Sequence, residues 1–269
     1  MTIKEWLDKA VIKLKESEIS SHRLDAELII THILKISRTQ LHAHPDMVLN
    51  KLERQVADEC LYLRSKRVPL AYILGHKEFY GRKFIVSKDT LIPRPESEAM
   101  IEEVKRLHVL HKNITSNILD VGTGSGILAI TIKLELPSMK VEATDISNEA
   151  LEIARKNATA HNADIKFIKS DLLENIKRLP NTIVANLPYV DSNWETSPET
   201  AYEPAGALFA EDEGLTLIKK LISQAAERDW HGLMLLEADP CQHSEIDKYS
   251  KNYEFSHLNT SGYIITLER

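Results

Sequence analysis

From residue 117 onward, short apolar runs alternate with segments whose apolar residues recur at helical spacing. No other feature limits the fold as much. The runs lie at 118–121, 140–144, 165–168, 182–185, 233–237 and 263–267. Helical stripes fall at 127–134, 148–160, 215–228 and 240–249. A strand followed by a helix and another strand returns in the same direction. The pattern therefore predicts an α/β domain, a mostly parallel sheet covered on both faces. No run reaches the roughly 18 apolar residues that a membrane-spanning helix needs.

Ahead of this domain, residues 2–67 carry helical patterns only. Trp6, Leu7, Ala10, Val11 and Leu14 share one face. Leu24, Ala26, Leu28, Ile29 and Ile33 share a second after the candidate cap Ser21, and Leu52, Val56, Cys60 and Leu63 a third. Residues 1–68 are expected to form a small helical bundle. Residues 69–92 read as a linker containing a hairpin that turns near Gly81. Residues 93–269 are the α/β domain. Pro93 and Pro95 fix an extended segment, and Glu96 opens a helix of about 15 residues.

Charge and cysteine content exclude several functions. The net charge is −6, and the acidity lies after residue 80, which argues against unaided binding of nucleic acid. Cys60 and Cys241 show no paired spacing. Cys241-x-His243 and His42-x-His44 lack further ligands at a recognisable spacing. Two reduced thiols and no metal site are expected. The first residues read as a helix rather than a signal peptide, so a cytoplasmic protein is expected.

The chemistry-bearing residues stand at strand ends. Asp120-Val121-Gly122-Thr123-Gly124-Ser125-Gly126 closes one strand and opens a helix. Glycines there let the chain turn sharply and let a ligand approach. The spacing is Gly-x-Gly-x-Gly, not the Gly-x-Gly-x-x-Gly of dinucleotide binders, which disfavours an oxidoreductase. Taken singly, this is as well read as a tight structural turn. Asp145 closes the next strand, where an acidic residue takes ribose hydroxyls. Asp171 and Leu172 follow the third, where an adenine would lie; a lone Asp there is otherwise a helix cap. Three such ends in order favour a shared nucleotide-like cofactor site.

Asn186-Leu187-Pro188-Tyr189 closes the fourth strand. Its bland reading is a turn after a strand. Beside a cofactor it suits a planar nitrogen. The Asn186 oxygen accepts one hydrogen of an –NH₂ group and the Leu187 carbonyl the other. Pro188 holds Leu187 extended, and Tyr189 stacks on the flat group. Together the two motifs point to methyl transfer from S-adenosylmethionine to such a nitrogen, leaving S-adenosylhomocysteine.

The chain resembles the protein-(glutamine-N5) methyltransferases of peptide chain release factors. Residues 69–75, 78–81 and 91–98, the turns named above, Asn157-Ala158, Tyr202-Glu203-Pro204 and Gly214-Leu215 follow that family's order. The resemblance implies a seven-stranded, doubly wound, Rossmann-like class I methyltransferase sheet with one antiparallel strand near its end. The N-terminal bundle would grip the release factor. It also implies that Gly122, Thr123, Gly124, Ser125, Gly126, Asp145, Leu172 and Asn186 hold the cofactor, to which the strand-end reading adds Asp171. Asn186, Leu187, Pro188 and Tyr189 would hold the glutamine of a Gly-Gly-Gln loop, with Asn186, Pro188 and Tyr189 as the catalytic turn. Leu187 stands where the family has a proline, so a less rigid turn is expected. The competing readings are a ribosomal-protein glutamine, adenine N6 or guanine N2 as acceptor, and a cofactor-binding module without turnover.

Overall fold

The computed structural model describes residues 1–110 and 116–269. They divide into two compact units, one of residues 1–75 with 197–202, the other of 76–196 with 203–269.

The first unit is helical: α1 (Ile3–Glu16), α2 (His22–Leu34), α3 (Arg38–Ala43), α4 (Lys51–Ser65) and the short α5 (Leu70–Leu74). Thr2 with Glu5, Ser37 with Gln40 and Asn50 with Glu53 form reciprocal caps on α1, α3 and α4. Ser21 precedes α2 but makes no side-chain cap bond. Trp6, Ala10, Leu14, Ala26, Ile29, Ile30 and Leu61 form the core. The unit continues past residue 68 through α5. It also includes 197–202, where Glu199 Oε1 accepts from Arg64 at 3.1 Å. Arg64 is itself buried against Asp25 at 2.7 Å.

The second unit opens with an antiparallel hairpin, β1 (His76–Phe79) and β2 (Arg82–Ile85). Tyr80 and Gly81 turn it with φ of +50° and +68°, the mirror-image turn that suits twisted strands. Phe79 and Phe84 bury in the core beneath the sheet, and the hairpin falls within the second unit. A 3-10 turn, Pro95–Ser97, leads into α6 (Glu98–Leu110).

There follow β3 (Asn117–Val121), α7 (Ile127–Glu135), β4 (Lys140–Asp145), α8 (Asn148–Ala160), β5 (Lys166–Lys169) and β6 (Thr182–Ala185). Then come α9 (Ala205–Leu208), α10 (Thr216–Glu227), β7 (Leu233–Glu237), α11 (His243–Lys251), β8 (Ser256–Ser261) and β9 (Ile264–Glu268). The strand order is β5-β4-β3-β6-β7-β9-β8, with β9 antiparallel to both neighbours and the other pairs parallel. Alternate residues feed the two faces: Leu119 and Val121 pack against α10, Ile118 against α6 and α7. The strand order reverses direction at β3 and β6. The crevice at their carboxyl ends is where open α/β sheets bind ligands. β8 has no counterpart among the expected strands. It is an exposed edge of mostly polar residues, so no apolar alternation marks it.

Candidate active site

The cofactor side is built mainly from backbone. Gly122 leaves β3 with φ +74°. Its N–H and that of Thr123 donate to the Thr144 carbonyl at 2.9 and 2.8 Å. Gly124 N–H donates to Asp145 Oδ2 at 2.8 Å, and Ser147 N–H to Oδ1 at 2.9 Å. Burial raises the proton affinity of Asp145, and these backbone donors oppose it. Beneath the turn, fully buried Asp120 accepts from Thr123 Oγ1 at 2.6 Å and from Ala129 N–H at 3.2 Å. Its Oδ1 has no partner among the described residues. Burial pushes the Asp120 carboxyl up to about 7 despite those two bonds. Asn157 ties the loop to the hairpin: Nδ2 donates to Ser125 O at 2.8 Å and Ile85 O at 2.9 Å, while Oδ1 accepts from Ile85 N–H at 2.7 Å.

The acceptor side depends on side chains from four distant segments. Asn186 Nδ2 donates to Ser97 Oγ at 3.0 Å, and Ser97 is fully buried. Tyr189 OH donates to Glu237 Oε1 at 3.4 Å. Gln242 Nε2 donates to the Tyr189 carbonyl at 2.8 Å and to the Glu213 carbonyl at 2.7 Å. A Cβ on Gly214 would sit 2.0 Å from the Tyr189 oxygen, so only glycine lets these strands of loop approach. Glu203 clamps the lip: Oε2 accepts from Ile92 N–H at 3.0 Å and Oε1 from Arg94 at 2.5 Å.

Glu237, at the end of β7, is 1% exposed. Burial pushes its carboxyl up to about 7, with nearby Glu96 adding to the shift and Ser97, Tyr189 and Asn186 opposing it. Burial and the Glu237 charge also hold the Tyr189 phenol well above its ordinary range.

A cavity of about 600 Å³ joins the two sides. Gly122, Thr123, Gly124, Ser125, Asp145, Asp171, Leu172, Asn186, Leu187 and Pro188 all line it, as do Pro93, Arg94 and Ser97 of the lip. Gly126 and Tyr189 stand outside this wall. Gly126 closes the turn through its N–H on Thr123 O at 2.8 Å. Tyr189 is half-buried and directs its hydroxyl to Glu237. Asp171 carries a partner of its own, Lys220 at 2.6 Å. The size, a wall of glycine backbone and apolar side chains, and the carboxylates of Asp145 and Asp171 suit a nucleoside-sized ligand.

Leu187 is packed rather than free. Its side chain is 4% exposed and belongs to the core that includes Val121 and Leu172. A Cβ on Gly122 would lie 2.8 Å from its Cδ2. Side-chain packing on Gly122 and the core is thus a constraint on this position that the proline ring of the family does not supply.

Ser97, Glu237 and Gln242 were not among the expected site residues. Ser97 lies inside the Pro-Arg-Pro-Glu-Ser-Glu stretch and Glu237 closes a strand, which flags their segments. Nothing in the one-dimensional pattern links those segments to Asn186.

A seven-stranded sheet with this strand order, a glycine turn after β3 and an Asn-x-Pro-Tyr turn after β6 define a class I methyltransferase. The hMettl16 catalytic domain, solved in complex with MAT2A 3'UTR hairpin 6, shares this fold. Its TM-score is 0.54 at 15% identity, covering 81% of each chain. Residues 5–75 match the PrmC N-terminal domain and residues 105–203 the methyltransferase small domain. The release factor glutamine methyltransferase of Koribacter versatilis is 41% identical over 232 residues, 84% of this chain and 82% of that protein. That of Leptospira interrogans is 39% identical over 82% of this chain and 80% of its own length. A bifunctional methyltransferase of Rickettsia bellii is 36% identical over 92% of this chain, which spans only 50% of that longer protein. The chain belongs to the release factor glutamine methyltransferase family.

Proposed function

We infer that this protein transfers a methyl group from S-adenosylmethionine to the side-chain amide nitrogen of the glutamine in the Gly-Gly-Gln motif of peptide chain release factors. The observation that carries the reading is the placement of Asn186. It lines the same cavity as the glycine turn and Asp145, in a chain whose relatives match over both units.

The cofactor would lie along Gly122–Gly124, with its ribose at Asp145 and its adenine at Asp171 and Leu172. It supplies a methyl group on a sulfonium, already activated for displacement. The protein's part is to place the nucleophile. An amide nitrogen is poor because its lone pair is delocalised. Acceptors on its two hydrogens, the Asn186 oxygen and the Leu187 carbonyl, raise electron density on nitrogen and set its plane. Such bonds accelerate transfer to the extent that they strengthen as positive charge develops. Orientation in a dry site is worth up to roughly 7–11 kcal/mol in ideal cases. Tyr189 enters as the anchor of the turn, through its hydroxyl on Glu237. The helical unit would hold the release factor away from the chemistry.

The test is transfer of label from S-adenosylmethionine to a release factor, beside the same factor with its Gly-Gly-Gln glutamine replaced. Label on the intact factor alone is expected. Equal label on both, or on neither despite cofactor binding, would overturn the acceptor assignment. Asn186→Ala should keep the fold and lose at least about 100-fold in turnover; full turnover would remove Asn186 from the mechanism.

A further inference from the structure

An asparagine amide can face a ligand in two ways. With oxygen outward it accepts; with nitrogen outward it donates. Only the first serves an –NH₂ acceptor group, so something must hold Asn186 one way round. The side chain alone has no preference, and its two ends have nearly the same shape.

The surroundings supply the preference. Asn186 Nδ2 donates to Ser97 Oγ at 3.0 Å, and its Oδ1 takes no hydrogen bond among the described residues. Ser97 is wholly buried. A hydroxyl that accepts from Asn186 still has its own hydrogen to place. A buried carboxylate stands at the same turn: Glu237 Oε1 accepts from Tyr189 at 3.4 Å, the Ser97 hydroxyl and the Asn186 amide both stabilise its charge, and its Oε2 has no hydrogen-bond partner among the described residues. A negative Glu237 draws the Ser97 hydrogen toward itself. That leaves the Ser97 lone pairs for the Asn186 nitrogen and repels the Asn186 oxygen. The same carboxylate accepts from Tyr189 at the other end of the turn.

We propose that Glu237, acting through Ser97, is a positioning residue that fixes the Asn186 amide with nitrogen inward and oxygen toward the cavity. Resting on the acceptor assigned above, the device makes the site selective for a group with two N–H donors over an isosteric carboxylate. It would thus distinguish glutamine from glutamate at the same backbone position. No bond is made or broken by Glu237 or Ser97.

The arrangement also implies a pH dependence. The groups facing Glu237 are Glu96 and Ser97 from the turn before α6, and Asn186 and Tyr189 from the turn after β6. The charge of Tyr263 also acts on Tyr189. Burial, with the Glu96 carboxyl adding to it, makes Glu237 ionise late, so turnover should rise with pH through neutrality.

The experiment uses the full chain. In ¹⁵N-labelled protein without ligand, the Asn186 side-chain amide, assigned by its loss in Asn186→Gln, should show one proton shifted downfield and slow to exchange. Ser97→Ala should abolish that signature and Ser97→Thr, which keeps the hydroxyl, should preserve it. Turnover on the release factor should fall about tenfold in Ser97→Ala, the equivalent of one hydrogen bond. KM for the cofactor should stay unchanged, and Ser97→Thr should recover most of the loss. Glu237→Gln should remove the rise with pH. Wild-type protein should bind the intact factor better than its Gln→Glu variant, and Ser97→Ala should shrink that preference. An Asn186 signature and a glutamine preference that survive both Ser97→Ala and Glu237→Gln would overturn the proposal. If wild-type protein methylates no release factor, the acceptor assignment fails, and the amide signature alone still decides the polarity.

Discussion

The two sides of the cavity are made in opposite ways. The cofactor side is largely one stretch of chain turning on itself: the β3–α7 loop bonds to Thr144 and Asp145 of the adjacent strand, largely through backbone N–H groups. The acceptor side is a four-residue turn held by Ser97, Gly214, Glu237 and Gln242, drawn from across the second unit. A backbone-built site needs glycines and a strand end. A side-chain-built site needs the right partners delivered by the whole fold. The first should therefore be damaged by local changes only, the second by changes far away in sequence.

Gly214→Ala should give the largest effect. Its Cβ would lie 2.0 Å from the Tyr189 oxygen and 2.7 Å from Gln242 Nε2, at a φ of +84°. Backbone cannot yield as a side-chain tip can. The cost should be about 4 kcal/mol or more, from overpacking and strain together. Urea denaturation would measure it, and methyl transfer should be lost. A variant with wild-type stability and turnover would show that the acceptor turn tolerates remote disturbance, and the contrast between the two sides would collapse.

The cofactor side carries a different liability, the buried Asp120. Its folded value, about 7, lies above its ordinary 3.8. A carboxyl raised on folding favours the folded state fully below the unfolded value, and that contribution is lost as pH climbs through the folded value. Wild type should therefore lose stability relative to Asp120→Asn between about pH 4 and pH 7, by roughly 3 kcal/mol at about 1.4 per unit. Denaturation midpoints of both proteins at the two ends of that window test it. A constant difference across the window would mean that Asp120 ionises without penalty.

Asp145→Ala should act more narrowly. It removes the acceptor for Gly124 N–H and Ser147 N–H as well as the carboxylate facing the cavity. Cofactor affinity should fall about 30-fold, near 2 kcal/mol. The apo protein's Asn186–Ser97 contact should be untouched. Calorimetry for affinity and the Asn186 amide resonance for the contact separate the two. An unchanged dissociation constant would reject the ribose assignment, and a moved resonance would show that the two sides are coupled.

The same difference explains what could be read before the structure. The strand–helix alternation and the glycine turn are contiguous signals, and the sheet appears where they place it. The turn at Asn186 is legible for the same reason. The polar edge strand β8 escaped because it buries no face. Ser97, Glu237 and Gln242 escaped because a buried polar residue in an apolar or loop segment carries no mark of its partner. Leu187 was legible as a residue but not as a packed one, since its contact, Gly122, lies on another strand's loop.

Leu187→Pro should give the smallest effect and sharpens the comparison most finely. Two influences oppose each other there. A proline would stiffen the turn and lower the entropy of the unfolded chain, a gain of about 0.4–1 kcal/mol where the backbone is compatible. It would also remove apolar atoms that pack over Gly122 and into the core near Val121 and Leu172, at a cost of about 1 kcal/mol. The two nearly cancel, so stability should change by less than about 1.5 kcal/mol and turnover by less than about threefold. Initial rates at saturating cofactor provide the measure. If turnover instead falls more than about tenfold, the packing of Leu187 on Gly122 aims the acceptor carbonyl. The acceptor turn would then be set by the cofactor loop itself, and the two sides of the cavity would be one structure.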